Sequence, residues 1–338
     1  AWREPIFIAA SVIACLCLLQ FETPSLLQLQ SYPLEIFTRF SIPENEWKAV
    51  ILCIPYAVIA LLFAWSLRRA GRCFGTIAND PPISLALPGF IHVFRAFTLF
   101  VFLFSCLIPL LSLLLYSGSF SFTLQTMLGH SERLVRSLLY AGGGAGVILL
   151  LGVTYTAAPA SRRTIIAPMI FIALFTCPGI LIASGWLQLR SFWPGAIPTG
   201  VEIVSLLGAH TTHRMILGYA AGVLLWRIYG VKQREFECLL RLGIITRLRF
   251  LILPTLFRPA SFGIMLASLL LWGDIAITIL LHPPGGDTLA VEYYNLLHYG
   301  NEARTAAIGF LLLLTPTLIL MIAYSIIALG RKLRPIHE

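Results

Sequence analysis

His210, His213 and Arg214 are the residues of this chain whose types and spacing best suit chemistry. Separations of three and four put all three on one helix face. Two imidazoles and a guanidinium there could line a cavity or meet an anionic substrate. The alternative is a helix end wetted at a membrane surface, because long charged side chains reach toward water. Asp274 and Glu22 are the carboxylates to set beside them. Each lies in or next to an apolar run, where a carboxylate is costly and functional by default. Facing one pathway, they would suit a cation. The competing account of Asp274 is structural, with backbone N–H groups or water as its partners.

Catalytic patterns are missing. No G-x-x-x-x-G-K-[ST] stretch occurs, so the chain does not hydrolyse ATP through a P-loop. Neither H-E-x-x-H nor G-x-S-x-G is present. An intramembrane enzyme would need a nucleophile with its base, or a metal cluster, at one depth, and the histidine pair alone does not supply that. Cys15-x-Cys17 has no second pair beside it, so no metal site and no cofactor are expected. The seven cysteines are Cys15, Cys17, Cys53, Cys73, Cys106, Cys177 and Cys238. None falls in a segment read as outside, so no disulfide is expected.

Composition says what must position these residues. The chain has 338 residues, of which 58% are hydrophobic and 12% charged; a soluble domain is about one quarter charged. Mean hydropathy is +0.86, and the expectation is an all-α polytopic membrane protein. A helix of about 20 apolar residues crosses a bilayer. That rule gives about eight spans, at 5–21, 48–67, 94–116, 137–157, 164–188, 205–229, 259–281 and 304–330. The sixth is the weakest, since it holds the His210–Arg214 trio.

The net charge of +9 is unevenly distributed between loops. With the N-terminus inside, 17 of the 24 Lys and Arg fall in inside segments and 6 in outside segments, with Arg214 in a span. Positive charge collects on the cytoplasmic side, so both ends of the chain are expected there. The basic residues sit beside spans, which argues for a lipid bilayer and against nucleic acid as partner. Gly142-x-x-x-Gly146 and Gly218-x-x-x-Gly222 predict close helix contacts. Pro109, Pro178 and Pro316 mark candidate kinks. The outside segment His282-Pro283-Pro284-Gly285-Gly286-Asp287 is either a simple turn or a surface for a soluble partner.

The most charged stretch runs from Arg234 to Pro259, R-E-F-E-C-L-L-R-L-G-I-I-T-R-L-R-F-L-I-L-P-T-L-F-R-P. It predicts two short surface helices bent at Gly243, since glycine lacks a Cβ, and a new helix at Leu253-Pro254, where proline suits the first turn. The segment 232–258 resembles the cytoplasmic loop of binding-protein-dependent ABC importer permeases. Glu237, Gly243 and Leu253-Pro254 match its Glu-Ala-Ala, Gly and Leu-Pro pattern. Cys238 and Leu239 replace the two alanines, and the interval from Gly243 to Leu253 is shorter than the family's.

The chain also repeats itself. Glu35-Ile36-Phe37 and Asn45-Glu46-x-Lys48 precede the second span, and Glu292-Tyr293-Tyr294 and Asn301-Glu302-x-Arg304 precede the eighth. Two such blocks suggest duplicated halves. Residues 1–68 are then the end of a first permease half, 69–93 a cytoplasmic linker, and 94–338 a second half with six spans. The sequence begins at Ala1 and is expected to be a fragment of a longer chain.

The resemblance implies a type I ABC importer permease fold in the cell inner membrane. It also implies an ABC ATPase subunit, expected as a dimer, on the cytoplasmic side and a soluble substrate-binding protein outside. Glu235, Glu237, Gly243, Leu253 and Pro254 would couple to the ATPase. Glu22, Asp274, His210 and His213 are the candidates for a pathway or gate. Fused halves resemble the ferric-iron and thiamine branches, with ferric iron the expected cargo. The alternative is a secondary transporter or channel driven by an ion gradient.

Overall fold

The computed structural model describes residues 29–40, 46–59, 61–62, 88–157, 166–192, 198–229, 246, 253–299 and 302–332. Among these residues there are helices and turns and no strand. The helices are α1 (Tyr32–Phe40), α2 (Glu46–Leu52), α3 (Pro88–Tyr116), α4 (Phe120–Gly129), α5 (Ser131–Ala157) and α6 (Ile166–Phe175). They continue with α7 (Gly179–Ser191), α8 (Thr199–Tyr229), α9 (Leu253–Trp272), α10 (Ile275–Leu281), α11 (Leu289–Tyr299) and α12 (Glu302–Lys332).

Among the described residues, three stretches are long and apolar enough to cross a membrane: His92–Tyr116 in α3, Ser131–Thr156 in α5 and Glu302–Ile319 in α12. Two bent pairs bring the number to five if each is one span. α3 carries Phe94, Phe97, Phe100 and Phe104 as exposed side chains, a surface that water disfavours and hydrocarbon covers at no cost. The chain is an all-α membrane protein. α8 has the length of a span, at 31 residues, but its polar residues keep it out of the apolar set.

Two segments expected as single spans are broken, the first at Pro178, one of the candidate kinks. The 164–188 run is α6 and α7, which meet at 105°. Pro178 causes the break, because its ring has no N–H for the helix ladder and disfavours helical geometry at Cys177 before it. The 259–281 run is α9 and α10, which meet at 69°. There Asp274 caps α10 by accepting from Ile277 N–H at 3.2 Å, so the carboxylate starts a new helix. Pro109 and Pro316, by contrast, lie inside helices that run on through them.

The described chain packs as two units, each discontinuous in sequence. One comprises Ala1–Gly75 with Leu138–Gly286. At its heart α5 and α8 meet backbone to backbone, where a Cβ on Gly152 would collide with Gly218 and one on Gly218 with the Ile148 carbonyl. Gly222 lies against Gly152 and Thr156 in the same way. In lipid, helices gain little from apolar burial and associate through close packing, which makes these glycines the source of the contact. The expected Gly218–Gly222 contact is therefore present. Gly142 and Gly146 have nothing within 4 Å of a built Cβ, and on that turn of α5 Gly144 meets Leu271 and Leu207 instead.

The same unit has a second cluster where Ile182 and Ala183 of α7, Leu206 and Ala209 of α8, and Ile277 and Leu281 of α10 interlock. Trp186 covers Gly208, donating to Thr212 Oγ1 at 3.3 Å. The Pro283–Gly286 segment is a tight turn closed by Gly286 N–H to Pro283 O at 2.8 Å. Gly285 holds φ +70° within it, a conformation glycine adopts freely.

The other unit comprises Thr76–Ser137 with Asp287–Glu338. α12 is its centre and packs on α3, α4 and α11. Gly309 lets α12 approach Leu113 and the Tyr293 ring, which would lie 2.9 Å from a Cβ there. Ser119 caps α4 by accepting from Phe122 N–H.

Candidate functional site

The two helix breaks of the first unit converge on one turn of α8. His210, His213 and Arg214 project from that turn, and 3.6-residue periodicity explains why the three share a face. Arg214 Nη2 lies 3.0 Å from Asp274 Oδ2. His210 Nδ1 lies 3.8 Å from the same oxygen. His213 Nε2 reaches the carbonyl of Cys177, in the α6–α7 break, at 3.1 Å. A carbonyl only accepts, so His213 carries its proton on Nε2 when neutral. The Arg214 guanidinium also sits 5.6 Å from the centre of the Phe175 ring, at the end of α6, within cation–π range.

His210 is 2% exposed and His213 7%. The trio is not a wetted helix end. Asp274 is buried too, and both its oxygens are engaged, Oδ1 by the α10 backbone and Oδ2 by Arg214. Its carbonyl accepts from Thr278 Oγ1 at 2.6 Å. A buried carboxylate held by an arginine and a backbone N–H does structural work, since removing either partner strands a charge. Three nitrogens of the cluster, His210 Nδ1, His213 Nδ1 and Arg214 Nε, are buried with no protein group bonded to them.

Of the residues singled out from sequence, His210, His213 and Asp274 thus come together. Glu22, Glu235, Glu237 and Gly243 lie outside the described residues. Leu253 opens α9, with Pro254 in its first turn, the position where a missing N–H costs nothing. Cys177, beside the α6–α7 break, is a half-buried free thiol.

Sequence reasoning missed a second polar cluster, in the other unit. His130 Nδ1 donates to Thr126 O at 2.8 Å, which leaves Nε2 to accept from Arg304 Nη2 at 2.8 Å. Glu292 Oε1 lies 3.4 Å from His130 Nε2 and 3.6 Å from Arg304. Arg133 stands between Glu292, at 3.7 Å, and Asp287, at 3.9 Å. No local spacing announces this cluster, because His130 and Glu292 are far apart in the chain. The nearest signal was the Glu292 and Arg304 blocks of the internal repeat. No model of a known protein family matches the chain, and no curated protein does either.

Proposed function

We propose that this chain is the membrane-embedded permease part of an ATP-driven importer of the binding-protein-dependent type. The observation that supports it most is the ordered Glu237, Gly243, Leu253-Pro254 pattern between α8 and α9. In this reading a separate ATPase dimer docks on that loop from the cytoplasm of a cell with an inner membrane. A soluble binding protein delivers a small solute on the outer side, and the resemblance names ferric iron as its cargo. The permease fold is the type I importer fold, with about eight spans in this chain. No catalytic step belongs to the chain itself.

Arg214 and Asp274 give the reading a mechanical form. α8 carries Arg214 and leads into the loop, while α9 leaves the loop and ends at the break before Asp274. At 1.5 Å per residue, Arg214 stands ~22 Å from the end of α8 and Asp274 ~31 Å from the start of α9. A push on the loop therefore reaches both partners of one buried ion pair. Closure of the ATPase would shift the two levers, and the break at Asp274 would absorb the difference.

The test is co-purification of the full-length protein from its own membranes. Wild type should bring down a P-loop ATPase, and Gly243→Pro should lose it. A folded wild type that recovers no ATPase and shows no ATP-dependent uptake sinks the reading. Gradient-driven transport is the second reading. One observation favours it: four ionisable residues meet inside apolar helices at two breaks, the setting in which proton paths are built. Uptake abolished by a protonophore and indifferent to ATP would select it.

A further inference from the structure

We propose that a cavity walled by α5, α8 and α9 holds one acyl chain of an anionic phospholipid. The inference needs only that the chain lies in a membrane, and it holds whatever drives transport.

The cavity has a volume of about 250 Å³. Leu149 of α5, Gly218 and Leu224 of α8, and Gly263 and Leu266 of α9 are among its lining residues, all within the first unit. Every lining residue is aliphatic or glycine. Leu149 is buried at the floor, whereas Leu224 and Leu266 are 57% and 49% exposed. The mouth therefore opens sideways, where α8 and α9 face their surroundings. For a membrane protein those surroundings are hydrocarbon.

Two glycines make the space. Gly218 is needed for packing, because it brings α8 against the α5 main chain. Gly263 is not. A Cβ there would meet only Leu149 Cδ1 at 3.6 Å and Ala221 Cβ at 3.9 Å, which are ordinary contact distances. Alanine is also the better helix former. What the missing methyl at 263 does is leave the cavity open.

The walls decide the occupant. Water finds no partner on them. A helix, about 10 Å across, is too wide. An apolar cavity of about 150 Å³ takes benzene, so this one admits a single hydrocarbon chain. Depth agrees. At 1.5 Å per residue, Ala221 lies ~12 Å from the end of α8 at Tyr229, within the ~15 Å that one leaflet gives the hydrocarbon core.

Charge at the same end of the helices selects the headgroup. Arg227 on α8 stands ~4.5 Å beyond Leu224 along the axis, and Arg258 on α9 ~7.5 Å before Gly263. Beyond Glu202, α8 has no carboxylate, and α9 has none at all. The sequence between the two helices adds Lys232 and four arginines against two glutamates. Basic residues at the ends of membrane helices attract anionic headgroups.

The experiment is photolabelling of the full chain in phosphatidylcholine nanodiscs. The probe is a trace of phosphatidylglycerol with a diazirine midway along one acyl chain. A phosphatidylcholine probe with the same chain is used in parallel. Peptide mass spectrometry maps the label, and thermal unfolding reports folding. The exposed α3 face around Phe97 and Phe100 samples bulk lipid and is the internal control. The phosphatidylglycerol probe should label the walls around Leu224 and Leu266 more densely than α3. The phosphatidylcholine probe should label those walls roughly tenfold less, given two arginines near the headgroup. Ala221→Leu fills the cavity and should lower the wall label to the α3 level. Gly263→Ala, which has room for its methyl, should lower it partway. Arg227→Gln with Arg258→Gln should erase the difference between probes. A folded wild type whose walls carry no more label than α3, as a second copy seated there would give, overturns the proposal. Wall labelling unchanged in both folded filling variants overturns it too. Equal wall labelling by the two probes in wild type overturns the anionic headgroup.

Discussion

The clusters around Asp274 and around Glu292 use the same residue types to opposite ends. Each joins carboxylate, arginine and histidine from separate helices. Around Glu292 the donors and acceptors match: His130 gives one proton to Thr126 O and accepts from Arg304, while two arginines face two carboxylates. Arg133 and Arg304 remain 31% and 42% exposed, so water shares the load. Around Asp274 a single carboxylate faces Arg214 and two histidines, all but Arg214 fully buried. Three nitrogens there have no partner, and none in the Glu292 cluster is in that condition. The Glu292 cluster is a staple that holds helix ends. The Asp274 cluster has more nitrogen than its one carboxylate pairs.

Burial should decide how much each cluster matters, and that can be broken by experiment. Asp274→Ala strands Arg214 and uncaps α10. We expect a loss of about 3–5 kcal/mol, the cost of breaking a buried ion pair. Glu292→Gln in its wetter setting should cost about 1 kcal/mol or less, as partly exposed pairs do. Unfolding in mixed micelles measures both, and equal losses would erase the distinction. Between those two in size is Ser137→Ala. The Ser137 hydroxyl accepts from the buried Leu289 N–H at 2.8 Å, and a stranded N–H costs about 1–3 kcal/mol. Amide exchange at Leu289 should rise in that variant while the Glu292 contacts persist; unchanged protection would show that this anchor is idle. Smallest is Glu132→Gln, which removes the exposed bond from Arg136 to Glu132 one helical turn away. Such pairs contribute about 0.2–0.5 kcal/mol, and a melting shift as large as that of Ser137→Ala would mean that Glu132 belongs to the staple.

Composition made α3, α5 and α12 legible, because length and apolar content are all a span requires. Direction is not written in composition: Pro178 was marked as a candidate kink without its 105° angle, and the bend at Asp274 was not read. Asp274 was read as an intramembrane carboxylate, with backbone N–H groups among its partners on the structural account; that it caps a new helix at Ile275 was not read. Spacing put His210, His213 and Arg214 on one face. It gave no hint that Asp274, sixty residues on, would meet them. The glycine motifs mark the same limit. Gly218-x-x-x-Gly222 touches a neighbouring helix and Gly142-x-x-x-Gly146 does not, since a motif specifies a smooth face without saying whether another helix covers it.

The backbone contact of Gly152 with Gly218 restricts how the first unit can change shape. Two helices that touch through their main chains have no side chains to re-rotamer between them, so sliding one past the other would force carbonyl against carbonyl. α5 and α8 therefore turn as a single beam. Whatever exposes the His210–Arg214 face must be hinged elsewhere, and the chain has placed its two joints, at Pro178 and at Asp274, in the elements that flank that beam.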